Sequence, residues 1–358
     1  MQRLDPPPPH AIAEALGVST LTVEWLAGDG SDRCYFRIFS PELESSLVLM
    51  QLSGSDVDNL RQGRYDWLDI SELLSSEGVK VPKLRAKMLD AGALIIEDYG
   101  DIMLETVTLA EHKKSNISNA IPYYEQCLST LSRFLSLKPK GHPCWARRAF
   151  DQERFVWELN FFVKKYLNGV LGLTFSAKQE ADFARDSQAL STYLSSGSNY
   201  FVHRDFHSRN VMVFGTSVAI IDFQDARLGP ASYDLVSLCF DSYVPFTHPQ
   251  RMDLLSRAQG LFKLEHPQSL VGEIEEQWKP MLLQRQLKAI GSFGYLTIDK
   301  NKGDYLKNVR PALETLADAG VCDKRWPFLS KDLIEMLLET QAQSPLTGLM
   351  AAQRSNHT

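Results

Sequence analysis

The sequence predicts an α+β, bilobal chain, with a small antiparallel β-sheet lobe first and a larger, mainly helical lobe after it. Three observations predict it. Short apolar runs separated by turn residues crowd the first hundred positions. Past residue 101, apolar residues recur at helical spacing over long segments. One hairpin signal, two brief apolar runs on either side of Gly-Thr-Ser, interrupts those segments near residue 215. The expected boundaries are 1–100 for the β-rich lobe, 101–345 for the helical lobe and 346–358 for a weakly ordered tail.

Each element has its reason. The prolines at 6–9 read as an extended lead-in. HAIAEALG (10–17) is a short helix closed by Gly17. TVEWLAG (22–28) and CYFRIFS (34–40) are β-like runs on either side of the turn-rich GDGSD, and SSLVLMQLS (45–53) completes a sheet. Residues 57–77 combine charge with helical spacing and predict one helix. VKVPKLRAKML and ALIIEDYG predict two further strands. Segments 104–137, 149–168 and 177–195 predict helices, VMVFG and VAIIDF the hairpin, and the chain beyond 230 more helices.

Bulk properties exclude several classes. A net charge of -6 lacks the basic stripe of a nucleic-acid binder. Five scattered cysteines, an odd number, fit neither a disulfide framework nor a zinc site, and read as free thiols of a reducing cytoplasm. The N-terminus has no signal-peptide pattern. No apolar run is long enough for a membrane span. A cytoplasmic protein with small-molecule partners, and with neither nucleic acid nor membrane, is expected.

The chemistry concentrates in FVHRDFHSRNVMVF (201–214). His203, Asp205 and Asn210 have the spacing H-x-D-x-x-x-x-N, and Asp222 follows at the end of the hairpin in IIDF. This is the pattern of phosphoryl transfer in the protein-kinase-like fold. Asp205 is the expected base for the attacking hydroxyl. Asn210 and Asp222 are the expected ligands of Mg2+, which favours oxygen donors. His203 is expected to brace the loop. His207 has three readings: phosphate contact, acceptor contact or space-filling. Arg209 pairs either with phosphate, with an acceptor carboxylate or within the protein. The acceptor differs from that of a protein kinase. His207 stands two places after Asp205 where a lysine is usual, Gln224 replaces the DFG glycine, and Tyr233-Asp234 open a helix too soon for a peptide-binding loop.

VHRDFHSRNVMV together with IIDFQDARLGPASYDLVSL resembles the aminoglycoside phosphotransferase/choline kinase superfamily. Within it, LAGDGSDRCYFRI, VPKL…ALIIEDYGD and RQLKAIGSFGYL are similar to the bacterial anomeric N-acetylmuramate/N-acetylglucosamine kinases, so the likeness spans most of 20–310. It implies ATP and Mg2+, an N-acetylated amino sugar as acceptor, and a place in cell-wall sugar recycling. Gly28, Asp29, Gly30, Ser31 and Arg33 are then expected to cover the phosphates, which makes residues 1–100 a nucleotide-binding lobe. Glu97 to Tyr99 would meet adenine through their backbone, and Asp234 would anchor the catalytic loop. For the acceptor, Arg147, Arg148, Asp151 and Glu158 are candidates, against the alternative of a solvated charged face. Asp241 and Tyr243 would reach the same pocket.

The likeness has one gap. The third strand should carry a lysine for the nucleotide phosphates, yet SLVLMQL offers Met50 and Gln51. Arg33, Arg37 or a compensating cation elsewhere are the candidate replacements, and the helix partner is one of Asp66, Asp69 and Glu72, or none. Two alternative functions stay open: a kinase for an aminoglycoside, choline-like alcohol or ketosamine, and a catalytically silent binding module.

Overall fold

The first helix, α1 (Pro9–Leu16), ends on Gly17, whose φ of 67° reverses the chain at no steric cost. The structure is a computed structural model that describes residues 4–28, 33–139, 143–197 and 199–343. After α1 come β1 (Thr22–Gly28), β2 (Cys34–Phe39) and β3 (Leu47–Gln51), then α2 (Gly54–Arg61), α3 (Asp66–Ser76), β4 (Leu84–Met88) and β5 (Ala93–Glu97). Helices α4 (Leu104–Lys113), α5 (Ile121–Ser136), α6 (Gln152–Phe162) and α7 (Ala177–Ser195) follow. Next are β6 (Tyr200–Val202), β7 (Val211–Phe214), β8 (Ser217–Ile220) and β9 (Arg227–Gly229). The chain continues through α8 (Ser232–Cys239), α9 (His248–Glu265), α10 (Gln268–Ile298), α11 (Val309–Asp318) and α12 (Leu333–Gln343).

Two compact units result. One takes in the chain up to Leu104 together with Asn210–Asp225; the other holds Glu105–Arg209 and the chain from Ala226 onward. The sequence reading puts the β7–β8 hairpin with the helices. The contacts put it with the first unit, because the Val213 N–H donates to the Ile102 carbonyl at 2.7 Å and the Ile220 N–H to the Lys80 carbonyl at 2.8 Å. Tyr99 also packs on Phe214, with ring centroids 4.6 Å apart.

In the first unit the sheet order is β1-β2-β3-β5-β4, antiparallel throughout. Phe36, Ile38, Leu49 and Ile95 form its core with Ile12 of α1. Alternating side chains of β2 supply that face, as a half-buried strand requires. The helix expected over 57–77 is two helices. Gly63, at φ 66°, ends the first, and the Arg64 N–H returns to the Asn59 carbonyl at 2.8 Å. The segment 104–137 divides likewise, at Ser115 with φ 57°.

The second unit is built around the 31-residue α10. A Cβ at Gly291 would lie 2.8 Å from the Phe162 backbone, and one at Gly294 would lie 2.6 Å from the Lys165 carbonyl oxygen. These glycines let α10 lie backbone to backbone on α6 and on the π-helical turn Val163–Asn168 that extends it. The pairing of β6 with β9 was not expected, since three-residue strands are too short to show a period.

Candidate active site

In the second unit, β6 delivers the polar loop that starts at His203, and two buried carboxylates pin it. Asp234, in the first turn of α8, accepts the N–H of His203 at 2.6 Å and that of Arg204 at 3.0 Å. Asp241, just past α8, accepts the Ser208 N–H at 2.9 Å and the Ser208 hydroxyl, while its other oxygen takes the Tyr243 N–H at 2.8 Å. Held this way, Arg204 keeps a φ of 85°, a conformation that side chains rarely adopt without such restraint. The His203 ring is fully buried against Phe134 and Phe206. Asp241 was expected at the acceptor; here one of its oxygens holds Ser208 of the loop and the other the N–H of Tyr243.

Asp205 sits in that loop with its side chain 25% exposed. Lys288 Nζ, from α10, lies 2.7 Å from its Oδ1, and Arg204 Nε lies 3.7 Å from its Oδ2. Burial pushes the carboxyl pKa up, but Lys288, Arg204 and Arg285 outweigh it and hold Asp205 well below the usual carboxylate range. An ionised carboxylate can orient a hydroxyl and accept its proton.

The remaining loop residues face one another. The His207 N–H donates to the Asp205 carbonyl at 3.1 Å, and its ring stands edge-on to Tyr243 with centroids 5.2 Å apart. Burial pulls the His207 pKa down, against the charges of Asp241 and Asp205. Arg209 donates to both oxygens of Glu105, at 3.0 and 2.8 Å, and its guanidinium stacks 3.9 Å above the Tyr243 ring. Of its three readings, pairing within the protein is the one the structure shows.

The acceptor candidates on 144–158 separate. Arg147 is exposed. Arg148 donates to the Ala226 carbonyl at 3.2 Å. Asp151 caps α6, accepting the Arg154 N–H at 2.7 Å. Glu158 alone is fully buried, accepting from Gln284 Nε2 at 2.7 Å with Arg154 Nε 3.5 Å from its other oxygen. Its charge reaches Lys288 and Arg285.

In the first unit, Asn210 and Asp222 come together across the base of the hairpin. The Ile221 N–H donates to the Asn210 carbonyl at 3.1 Å, and Asn210 Nδ2 is 3.4 Å from Asp222 Oδ2. Gln224 Nε2 donates to Asp222 Oδ1 at 2.7 Å. Asp222 has φ 64°, a region that Asp tolerates better than most residues. Buried Phe223 secures the turn against Trp67 of α3, centroids 5.5 Å apart. A side-chain amide and a carboxylate this close, offering oxygen donors with neither sulfur nor imidazole, fit a hard divalent cation that keeps several waters or phosphate oxygens.

The same unit answers part of the missing-lysine question. Met50 is buried, and Gln51 Nε2 donates to the Ala91 carbonyl at 2.8 Å, so neither side chain supplies a cation. Arg37 is engaged by Asp98 at 2.6 Å and Asp101 at 3.0 Å. Arg33 is buried beside Tyr65 and Asp56. Burial raises the pKa of the Tyr65 hydroxyl; Arg33 opposes that rise, and Asp222 and Asp56 add to it. Asp69 and Glu72 are exposed, whereas Asp66 is half-buried and its charge acts on Asp56. Gly28 ends β1 opposite Cys34, while Asp29, Gly30 and Ser31 lie outside the described residues. The side chains of Glu97 and Tyr99 bond each other at 3.1 Å, and the Glu97 N–H donates to the Lys83 carbonyl at 3.0 Å.

Residues 22–269 match the phosphotransferase enzyme family. The chain belongs to that family. Among relatives of this phosphotransferase is the N-acetylmuramate/N-acetylglucosamine kinase of Pseudomonas putida, 29% identical over 293 residues that cover 79% of each chain. The protein of the same name from Neisseria meningitidis serogroup B is 28% identical, over 78% of this chain and 80% of its own. Solved structures share the fold. An ethanolamine kinase from Plasmodium vivax superposes with a TM-score of 0.55 at 11% identity, covering 84% of this chain and 82% of its own. The aminoglycoside phosphotransferase APH(4)-Ia gives 0.52 at 12% identity, covering 86% and 97%. The protein-kinase-like α+β fold read from the sequence is therefore the fold of this phosphotransferase, and the chain is a kinase-family enzyme.

Sequence reasoning about this phosphotransferase missed Lys288, Arg285, Gln224 and Glu105. Lys288 and Arg285 lie within RQLKAIGSFGYL, a segment noted for its likeness but not for its charges. Their spacing of three puts both on one helix face, the one signal available. Nothing in the spacing of Glu105 points to Arg209.

Proposed function

We propose that this phosphotransferase is an ATP- and Mg2+-dependent sugar kinase acting on the anomeric hydroxyl of N-acetylmuramate or N-acetylglucosamine. The observation that carries the reading is Asp205, an ionised carboxylate on a doubly pinned loop. Similarity over 79% of the chain to a protein named for this activity supports the choice of acceptor.

In the reaction, Asp205 orients the acceptor hydroxyl and takes its proton. The acceptor oxygen bonds to the γ-phosphorus as the bond to the ADP oxygen breaks. Asn210 and Asp222 would hold the magnesium, which offsets charge on the phosphates when bound. Arg33 is our candidate for the phosphate-facing cation in place of the strand lysine, alongside Gly28, Asp29, Gly30 and Ser31. Glu97 and Tyr99 offer backbone groups to adenine. Glu158 is the acceptor candidate with the best support, being buried and polar in the same unit as Asp205. The two-unit division of the chain suits a nucleotide-binding part and an acceptor part.

A choline-type acceptor has less support. The aromatic faces of Tyr243 and Tyr305 that would cage a cation already flank the Arg209 guanidinium, at 3.9 and 5.2 Å. A panel of acceptors incubated with magnesium-ATP, with the product read by phosphorus and carbon NMR, tests the reading. Phosphate on C1 of N-acetylmuramate or N-acetylglucosamine is expected. Turnover confined to aminoglycosides or amino alcohols, or nucleotide binding without turnover, would overturn it.

A further inference from the structure

The polar loop lacks the lysine usual two places after its aspartate; His207 stands there, its ring against Tyr243. A lysine reaches Asp205 from a distant part of the chain. Lys288 extends from α10 with its side chain only 12% exposed, and its Nζ is 2.7 Å from Asp205 Oδ1. The side chain is long, flexible and nearly enclosed, so the contact fixes both partners.

We propose that Lys288 is a positioning residue: by binding Asp205 Oδ1 it fixes the orientation in which the carboxylate receives the acceptor proton. The inference rests on Asp205 being the base of the kinase reading. Its geometry lies wholly within the second unit. Close helix packing makes the contact possible, because Gly291, one turn beyond Lys288, meets the Phe162 backbone of α6 with no side chain between. That approach brings Gln284 and Glu158 together and sets the height of α10 beside the loop.

The charged groups facing Asp205 and Lys288 come from three helices and the loop. Lys288 and Arg285 belong to α10, Arg204 and His207 to the loop, Glu158 to α6 and Asp234 to α8. Burial and the arginines pull the Lys288 pKa down, whereas Asp205 and Glu158 pull it up. Among the cations acting on Asp205, Lys288 exerts the largest effect. Arg285 is further committed to Ser237 Oγ at 2.8 Å and the Tyr233 hydroxyl at 3.3 Å, and cannot readily replace it.

The test uses Lys288→Met and Lys288→Arg in the full chain, with Lys288→Gln if the Met variant does not fold. Two readouts are compared. One is the titration of the Asp205 side-chain carbon, followed by carbon NMR and assigned by its loss in Asp205→Asn. This measurement needs no acceptor, so it stands even if the sugar reading fails. In K288M the Asp205 titration is expected to move to higher pH, and in K288R to stay near that of the wild type. The second readout is kcat against pH with whichever acceptor turns over. K288M is expected to lower kcat by about 10–100-fold with its acidic limb moved to higher pH, and K288R to recover the limb. An Asp205 titration unchanged by K288M would overturn the proposal. So would a K288M enzyme with wild-type kcat and an unmoved acidic limb.

Discussion

Asp234 Oδ2 accepts the backbone N–H of His203 at 2.6 Å, so the first turn of α8 holds the start of the polar loop. Its other oxygen holds the next N–H, that of Arg204, whose φ of 85° needs restraint. Removing the carboxylate strands one buried donor and one half-buried donor. Asp234→Ala should therefore lose stability, by about 1–3 kcal/mol for a buried donor left unpaired. Loosening the loop should also cost turnover, on the order of 100-fold. Thermal melting and steady-state kinetics check both, and wild-type kcat in this variant would show that the loop does not need its anchor.

Asp234 also makes stability depend on pH. Burial pushes its pKa up from 3.8 to about 7, against the two N–H donors and Arg285. The folded state then binds a proton that the unfolded state releases. This contribution to stability is full below the unfolded value and is lost as pH rises through about 7. Melting curves from pH 4 to 8 should fall less steeply with pH in Asp234→Asn, which keeps an acceptor oxygen and cannot titrate. Equal slopes in the two proteins would remove Asp234 from the balance.

Asp205→Asn keeps the size of the side chain and removes its basicity. Turnover should drop by about 100–10,000-fold, the range for losing a general base. Nucleotide affinity, measured by calorimetry, should be kept. The variant leaves Lys288, Arg204 and Arg285 facing no carboxylate at position 205, so its melting temperature at neutral pH should fall. Retained activity would exclude Asp205 as the base.

Substitution at Asp222 needs a residue that tolerates φ 64°. Asn does, so Asp222→Asn separates loss of charge from backbone strain. Magnesium-dependent nucleotide binding should weaken by about 10–100-fold, the equivalent of a charge-assisted bond. Binding without magnesium should change little. Calorimetric titrations with and without the metal distinguish these outcomes, and equal loss in both would point to a structural role.

Two glycines on helices of the second unit should respond in opposite directions. A Cβ at Gly291 meets the Phe162 backbone at 2.8 Å, so Gly291→Ala should cost about 1–3 kcal/mol through overpacking of α10 on α6. Gly260 of α9 has nothing within 4 Å of its Cβ position. Gly260→Ala should gain up to about 1 kcal/mol from helix propensity alone. Urea melts of both variants provide the comparison.

Local sequence was enough to define the β-rich start, the hairpin and the loop with Asp205, Asn210 and Asp222, because alternation, turn residues and motif spacing act over a few residues. It also placed Gly17 at the end of α1 and Asp234 at the opening of α8. Where a break depended on one residue inside a periodic stretch, as at Gly63 or Ser115, the period masked it. Tertiary structure alone decided that Lys288, 83 residues from Asp205, holds that carboxylate, that Arg209 goes to Glu105, and that Asp241 is a brace. The physical reason is that a charge finds its partner through the packing of helices such as α10 on α6. That packing depends on small residues far apart in the chain, and no local pattern records it.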